Sequence, residues 1–124
     1  MVVNDLRSAL EVLKQMDGQL VETDIEVDPE AELAGVYRHV GAGGTVMRPT
    51  KIDGPAMIFN NIKNHKDARV VIGLLASRER VARLMGCEKE ELGKLLCRAA
   101  LNPIEPVVSE EKAPCQEVIH KVTD

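Results

Sequence analysis

Apolar positions along the chain fall into two rhythms, one helical and one alternating. Leu6, Leu10 and Leu13 recur at helical spacing, with Ala9 and Met16 beside them. Asn4 is a suitable N-cap for that stripe, Asp5 suits the first turn, and Gly18 is the expected stop. Residues 19–25, QLVETDI, alternate apolar and polar as a strand does. Asp28-Pro29 then restarts a helix, because Asp caps, Pro tolerates the first helical position, and Glu30 and Glu32 favour the positive dipole end. Leu33, Val36, Tyr37 and Val40 form the apolar stripe of that helix, and Gly41 ends it.

A loop over 41–54 leads into PAMIFNNI (55–62), a mostly apolar run that reads as a strand. Asn64-His65-Lys66-Asp67 is a polar turn, and RVVIGLLA (69–76) is a second apolar strand, so the two runs are expected to pair as a hairpin. Ser77 caps a third helix on which Val81, Leu84 and Met85 share a face, with Gly86 as its stop. A fourth helix covers about 88–101, with Leu92, Leu95, Leu96 and Ala99 turned inward, and Asn102-Pro103 ends it. The remainder contains Pro103, Pro106, Pro114 and a charged SEEK patch, so it reads as an extended connector. Its last run, CQEVIHKV, has strand character. No internal repeat is present. The pattern predicts an α/β or α+β fold: a small mixed sheet of three to four strands with three to four helices.

Composition narrows the function classes. The 124 residues suit one domain. A chain of this size buries roughly two-thirds of its unfolded surface, enough for a core. Phe59 and Tyr37 are its only aromatic residues, so the core is aliphatic. The same scarcity, with a net charge of −4, argues against nucleic-acid binding through stacked bases or a basic face. The N-terminus, MVVNDLRSAL, lacks the basic and apolar regions of a signal peptide. No window approaches the roughly 20 apolar residues of a membrane span. Three widely spaced cysteines fit a reducing cytoplasm, where a free thiol behaves as a small hydrophobe.

Five features of the sequence could carry chemistry. Gly41-Ala42-Gly43-Gly44-Thr45 invites a phosphate-binding reading, but it follows a helix and meets the negative end of its dipole. No Lys-Ser/Thr pair follows Gly44, and the G-x-G-x-x-G spacing is absent. It is read as a helix stop and a surface loop. Cys87, Cys97 and Cys115 have no C-x-x-C spacing, and His39, His65 and His120 are scattered, so separate structural or surface roles are expected. On a strand, Cys115 and His120 would point to opposite faces. A Cys-His nucleophile pair has no supporting elbow around any cysteine. The acidic groups Glu30/Glu32, Glu88/Glu90/Glu91 and Glu110/Glu111 sit at helix starts or in the connector, where they cap dipoles or solvate a face. Arg78, Arg80 and Arg83 form a basic cluster, with Arg80 and Arg83 on one solvated or subunit-contacting surface. None of these residues is assigned a catalytic, cofactor-binding or metal-binding role.

The order of segments is more informative than any one of them. NDLRSAL, ETDIEVDPEAELAGVYRHVGAGG, GPAMIFNNIKNH, VVIGLLASRERVARLMG and NPIEPVV…APCQEVI follow one another over essentially the whole chain. This succession resembles the N-terminal region of UbiD-type decarboxylases, most nearly the hydroxyarylic acid branch that includes the protocatechuate (3,4-dihydroxybenzoate) decarboxylases. The resemblance implies carboxy-lyase chemistry: reversible, non-oxidative loss of CO₂ from aromatic acids. It also implies prenylated FMN, manganese and potassium as the family's cofactors, and homo-oligomers or packing against a central cofactor domain. The family's Glu-Arg-Glu catalytic group and its metal-binding Asn, His and Glu belong to that central domain, and no stretch here matches them. Residues 1–108 are therefore expected to be an N-terminal α/β domain, and 109–124 a connector and strand leading to the cofactor domain. Alone, the chain is expected to be inactive. The alternative is a stand-alone accessory or regulatory protein for a larger decarboxylase subunit, which a reading frame that closes at Asp124 would favour.

Overall fold

The structure is a computed structural model that describes residues 2–43 and 54–109, and beyond them 111, 113, 115, 117, 118 and 120. Four helices and three strands occur among the described residues: α1 Leu6–Lys14, β1 Leu20–Thr23, α2 Glu32–Val40, β2 Ala56–Phe59, β3 Val70–Ile72, α3 Arg78–Leu84 and α4 Leu92–Leu101. The expected small mixed α/β sheet is thus present.

Local signals explain most of the boundaries. The N-cap of α1 is Asp5, one residue later than expected. Its carboxylate accepts from the backbone N–H of Ser8 at 2.7 Å, and the Ser8 hydroxyl accepts from the Asp5 N–H at 3.0 Å. This reciprocal box satisfies two orphan donors at once. The Ser8 hydrogen bonds, backbone first, hold the Asp5 carboxyl below its ordinary range. Helix α1 ends at Lys14 rather than Gly18, although Gly18 does take the left-handed conformation at φ 67°. Helix α2 begins at Glu32, because Asp28–Ala31 first form a turn. In that turn the Asp28 carboxylate accepts from Glu30 N–H at 2.9 Å, and the Glu32 carboxylate accepts from Asp28 N–H. Ser77 caps α3 as expected, and Asn102 closes α4.

The sheet order is β1-β2-β3, with β1 parallel to β2 and β2 antiparallel to β3. The register sets Val21 beside Met57, and Met57 beside Ile72. These residues share one face with Thr23, Phe59 and Val70, since side chains alternate along a strand. Helix α2 covers part of that face, where Leu33, Met57, Phe59, Val27 and Ile62 form a buried cluster joined by Tyr37, Val40 and Ile72. Ala56 and Ile58 point to the other face and are equally buried, which explains why β2 reads as an unbroken apolar run. On that side a shallow cleft is lined by Leu6 and Leu10 of α1 with Val71 of β3. Helix α1 also contacts α3.

The apolar faces of the last two helices are covered only in part. On α3, Val81 and Leu84 are partly buried and Met85 is half exposed, while the fully buried residues are Arg80 and Ala82. On α4 only Leu92 is buried; Leu95 is partly covered, and Leu96 and Ala99 are exposed. Helix α4 has an apolar stripe without enough described chain to cover it. The strand expected over CQEVIHKV is not found at its described residues: Cys115 lies in a 3₁₀ turn and His120 in no regular element.

Candidate functional site

The most constrained polar cluster lies where the glycine loop leaves and rejoins the fold. Its centre is Arg80, which is fully buried. The guanidinium Nη1 donates to the Gly54 carbonyl at 2.7 Å and to Gln19 Oε1 at 2.8 Å. Nη2 donates to the Gly73 carbonyl at 2.9 Å, and Nε to the Leu74 carbonyl at 3.3 Å. One side chain therefore ties the entry to β1, the entry to β2 and the exit of β3 to helix α3. A planar guanidinium with a fork of donors is suited to this, because its charge stays solvated by carbonyl dipoles after leaving water. Ser77, also buried, accepts from the Arg80 N–H at 3.4 Å and fixes the first turn that carries the side chain.

Three glycines crowd the same neck. A Cβ on Gly54 would strike the Gly41 carbonyl, so the two ends of the loop touch backbone to backbone. Gly73 has φ 77°, and a Cβ there would enter the edge of the Tyr37 ring. The position therefore excludes a side chain by conformation and by space together. Gly41 ends α2 as expected and is buried, but with φ −86° it uses no left-handed turn. Gly43 is exposed at φ 77°. Gly44 and Thr45, with the rest of the loop to Asp53, lie outside the described residues.

The other candidates separate. Arg78 and Arg83 are exposed, so the expected shared surface of Arg80 and Arg83 does not exist. The R-E-R run makes Arg80 read as a surface residue, and the structure corrects this because the carbonyls around it replace water. Its position three residues after the Ser77 cap was the one cue that it belongs to the first turn, against the sheet. Cys97 and Cys115 are exposed and Cys87 is partly covered. His39, His65 and His120 are exposed, on three separate segments. Among the described residues no three His, Cys, Asp or Glu side chains converge on a point that would hold a metal ion. Glu30, Glu32, Glu88, Glu90, Glu91 and Glu111 are exposed, and Glu110 lies outside the described residues.

A second polar feature closes the edge of the cluster under α2. Lys63 Nζ meets Asp28 Oδ2 at 2.7 Å, both partly exposed. The Lys63 hydrogen bond, and next the Glu30 N–H, hold the Asp28 carboxyl below its ordinary range. The same hydrogen bond raises Lys63 above its ordinary value. Nearby, Asn60 Nδ2 donates to Glu22 Oε1 and Asp24 Oδ1, each at 2.9 Å, and fastens the end of β2 to that of β1. All these devices fix chain crossings, and none presents a nucleophile, a general base or a metal seat.

Comparison with known proteins agrees with this scaffold. Residues 11–100 match the family described as the 3-octaprenyl-4-hydroxybenzoate carboxy-lyase N-terminal domain. The gallate decarboxylase of Lactiplantibacillus plantarum is 50% identical over 121 residues, which is 97% of this chain and 24% of that enzyme. The apo 3,4-dihydroxybenzoic acid decarboxylase of Klebsiella pneumoniae superposes with TM-score 0.75 at 55% identity, over 84% of this chain and 21% of that one. The corresponding enzyme of Enterobacter cloacae superposes with TM-score 0.77 at 52% identity, over 88% of this chain and 22% of that one. The sequence spans about a quarter of the curated relatives it matches. The chain belongs to the UbiD-type carboxy-lyase family, and the part of the family that it matches is the N-terminal domain.

Proposed function

We propose that this chain works as the N-terminal packing and assembly domain of a carboxy-lyase that decarboxylates hydroxyaromatic acids non-oxidatively and reversibly. The carrying observation is Arg80: the most deeply buried cation of the described fold is given over to the Gly54, Gly73 and Leu74 carbonyls and to Gln19. Such a group rigidifies a scaffold. The 50% identity to a gallate decarboxylase and the 55% identity to a 3,4-dihydroxybenzoic acid decarboxylase favour a hydroxyaromatic acid as substrate. Prenylated FMN, manganese and potassium are, on this reading, held outside these 124 residues. The described part offers no converging donor set for manganese, so no step is assigned to its side chains.

Residues 109–124 serve as the connector toward a cofactor domain. The exposed Ile104, Val107 and Val108 just before it support this, since bare aliphatic side chains on extended backbone favour packing on another surface. No helix among the described residues is long and apolar enough to cross a membrane, and the cytoplasm is the proposed compartment. A chimera tests the reading. Residues 11–100 would replace the matching segment of the Lactiplantibacillus plantarum gallate decarboxylase. Gallate decarboxylation within a few-fold of the parent is expected; a folded, cofactor-loaded but inactive chimera would count against an interchangeable scaffold.

A further inference from the structure

Helix α4 carries an open apolar side with two opposite charges in a fixed order beside it. Leu95, Leu96 and Ala99 line a groove of about 570 Å³ together with Leu84 and Met85 at the end of α3. None of these five is buried, and Met85 and Leu96 are 50% and 47% exposed. On α4 itself only Leu92, at the helix start, is buried in the chain's own fold. Glu91 and Arg98 stand one turn before and one turn after Leu95, about 40° and 60° from it around the helix and on the same side. Both are exposed, and among the described residues neither makes an ion pair. The flank of the stripe therefore reads acid, then base, seven residues on.

That order is complementary to its own reverse. A second α4 laid antiparallel along the stripe, about a two-fold axis close to Leu95, sets Glu91 of each copy beside Arg98 of the other. The match occurs twice, as an isologous contact requires. A parallel pair gives no such match, because it turns this flank toward the opposite one, where Leu96 lies. A partner of one sign would satisfy only half of the flank. We propose that α4 is an antiparallel pairing surface for a second copy of this chain, with Leu95 and Ala99 at the seam and the Glu91–Arg98 pairs along its rim. Ala99 lets the two backbones approach, and the rim charges set the direction. The seam is only about two helical turns long, so the contact belongs to the small class below ~1,200 Å² of total buried surface. The dimer is therefore expected to depend on concentration. The pairing goes beyond the assembly role proposed above and is tested without an enzymatic readout, so its failure would leave that role standing.

The test is sedimentation of the 124-residue chain over a concentration series, with circular dichroism melts to confirm that each variant folds. The wild type is expected to dimerise. Glu91→Arg and Arg98→Glu each turn two attractive pairs into repulsive ones and are expected to associate about ten-fold more weakly. An equimolar mixture of these two variants is expected to recover the dimer, because the antiparallel heterodimer restores both pairs. Recovery is the distinguishing result, since a variant that merely weakened its own helix would not be rescued by another. Ala99→Glu, at an exposed seam position, is expected to abolish association and to stay unrescued in either mixture. Lys94→Glu makes the same charge change as Arg98→Glu, but about 140° around the helix from Ala99, and is expected to leave the dimer intact. A monomeric wild type at high concentration would overturn the proposal. So would a mixture that stays monomeric, or a Lys94→Glu protein as weak as Arg98→Glu.

Discussion

Arg80 Nη1 lies 2.7 Å from the carbonyl oxygen of Gly54, across 26 residues of sequence, and so joins helix α3 to the point where the glycine loop re-enters the sheet. Removing the guanidinium leaves the Gly54 and Gly73 carbonyls without that donor. Arg80→Met is expected to cost about 3 kcal/mol or more, since buried orphaned acceptors each cost about 1–3 kcal/mol. Arg78→Ala, exposed on the same helix, is expected to stay within about 0.5 kcal/mol of the wild type. Urea denaturation midpoints check both; equal midpoints for the two variants would refute the central role of Arg80.

Ser77 holds the first turn of the same helix and is 1% exposed. Ser77→Ala is expected to destabilise by about 1–2 kcal/mol, the upper part of the range for lost N-caps. Most of the decrement should persist in the Arg80→Met background, because Ser77 accepts from the backbone N–H of residue 80, which methionine retains. A decrement that vanishes there would argue that Ser77 acts through the guanidinium rather than as a cap.

Glycines divide sharply by what surrounds them. Gly35 lies inside α2 with nothing near a prospective Cβ, so Gly35→Ala is expected to stabilise by about 0.5–1 kcal/mol. Gly73→Ala combines left-handed strain of about 1–2 kcal/mol with a clash against the Tyr37 ring. A loss well above 2 kcal/mol is expected for it. Thermal melts rank the two, and a Gly73→Ala protein as stable as the wild type would contradict the packing at the neck.

Opposite limbs of the pH–stability curve report on the Asp28–Lys63 pair. The folded Asp28 carboxyl lies below its ordinary 3.8. Its contribution is therefore present above that value and is lost as pH falls through the lowered folded value. The folded Lys63 ammonium lies above its ordinary 10.5. Its contribution is complete below 10.5 and lost as pH rises through the raised folded value. Asp28→Asn should therefore lower Tm by a constant, salt-sensitive amount at neutral pH, and that difference should shrink below pH 3.8. A difference that persists unchanged into strong acid would remove the ion pair as its cause.

Elements whose residues advertise their partners were legible in the chain. Ser77 as a cap, Gly41 as the end of α2, the antiparallel pairing of the two apolar runs and the doubly buried β2 follow from local chemistry and period. Burial that depends on long-range partners was not. Arg80 sits in a run of charges, and its burial is offset by acceptors that the fold brings near: the Gly54, Gly73 and Leu74 carbonyls and Gln19 Oε1. The stripe on α4 reads as inward because apolar spacing identifies a face but not what covers it, and the described chain buries Leu92 and covers Leu95 in part. The late start of α2 is local but hidden: Asp28 and Pro29 signal a helix, while Ala31 takes φ 66° and the Asp28 and Glu32 carboxylates close a turn before Glu32. The family was legible in the order of soft segments, none of which carries a catalytic motif.

On the proposed reading, these residues are scaffold for carboxy-lyase chemistry performed outside them. The direct measurement is CO₂ release by the purified 124-residue chain, supplied with prenylated FMN, manganese and potassium, from 3,4-dihydroxybenzoate and gallate in turn. Release at the uncatalysed background is expected for both acids. Turnover above background that is abolished by a substitution within this chain would contradict it.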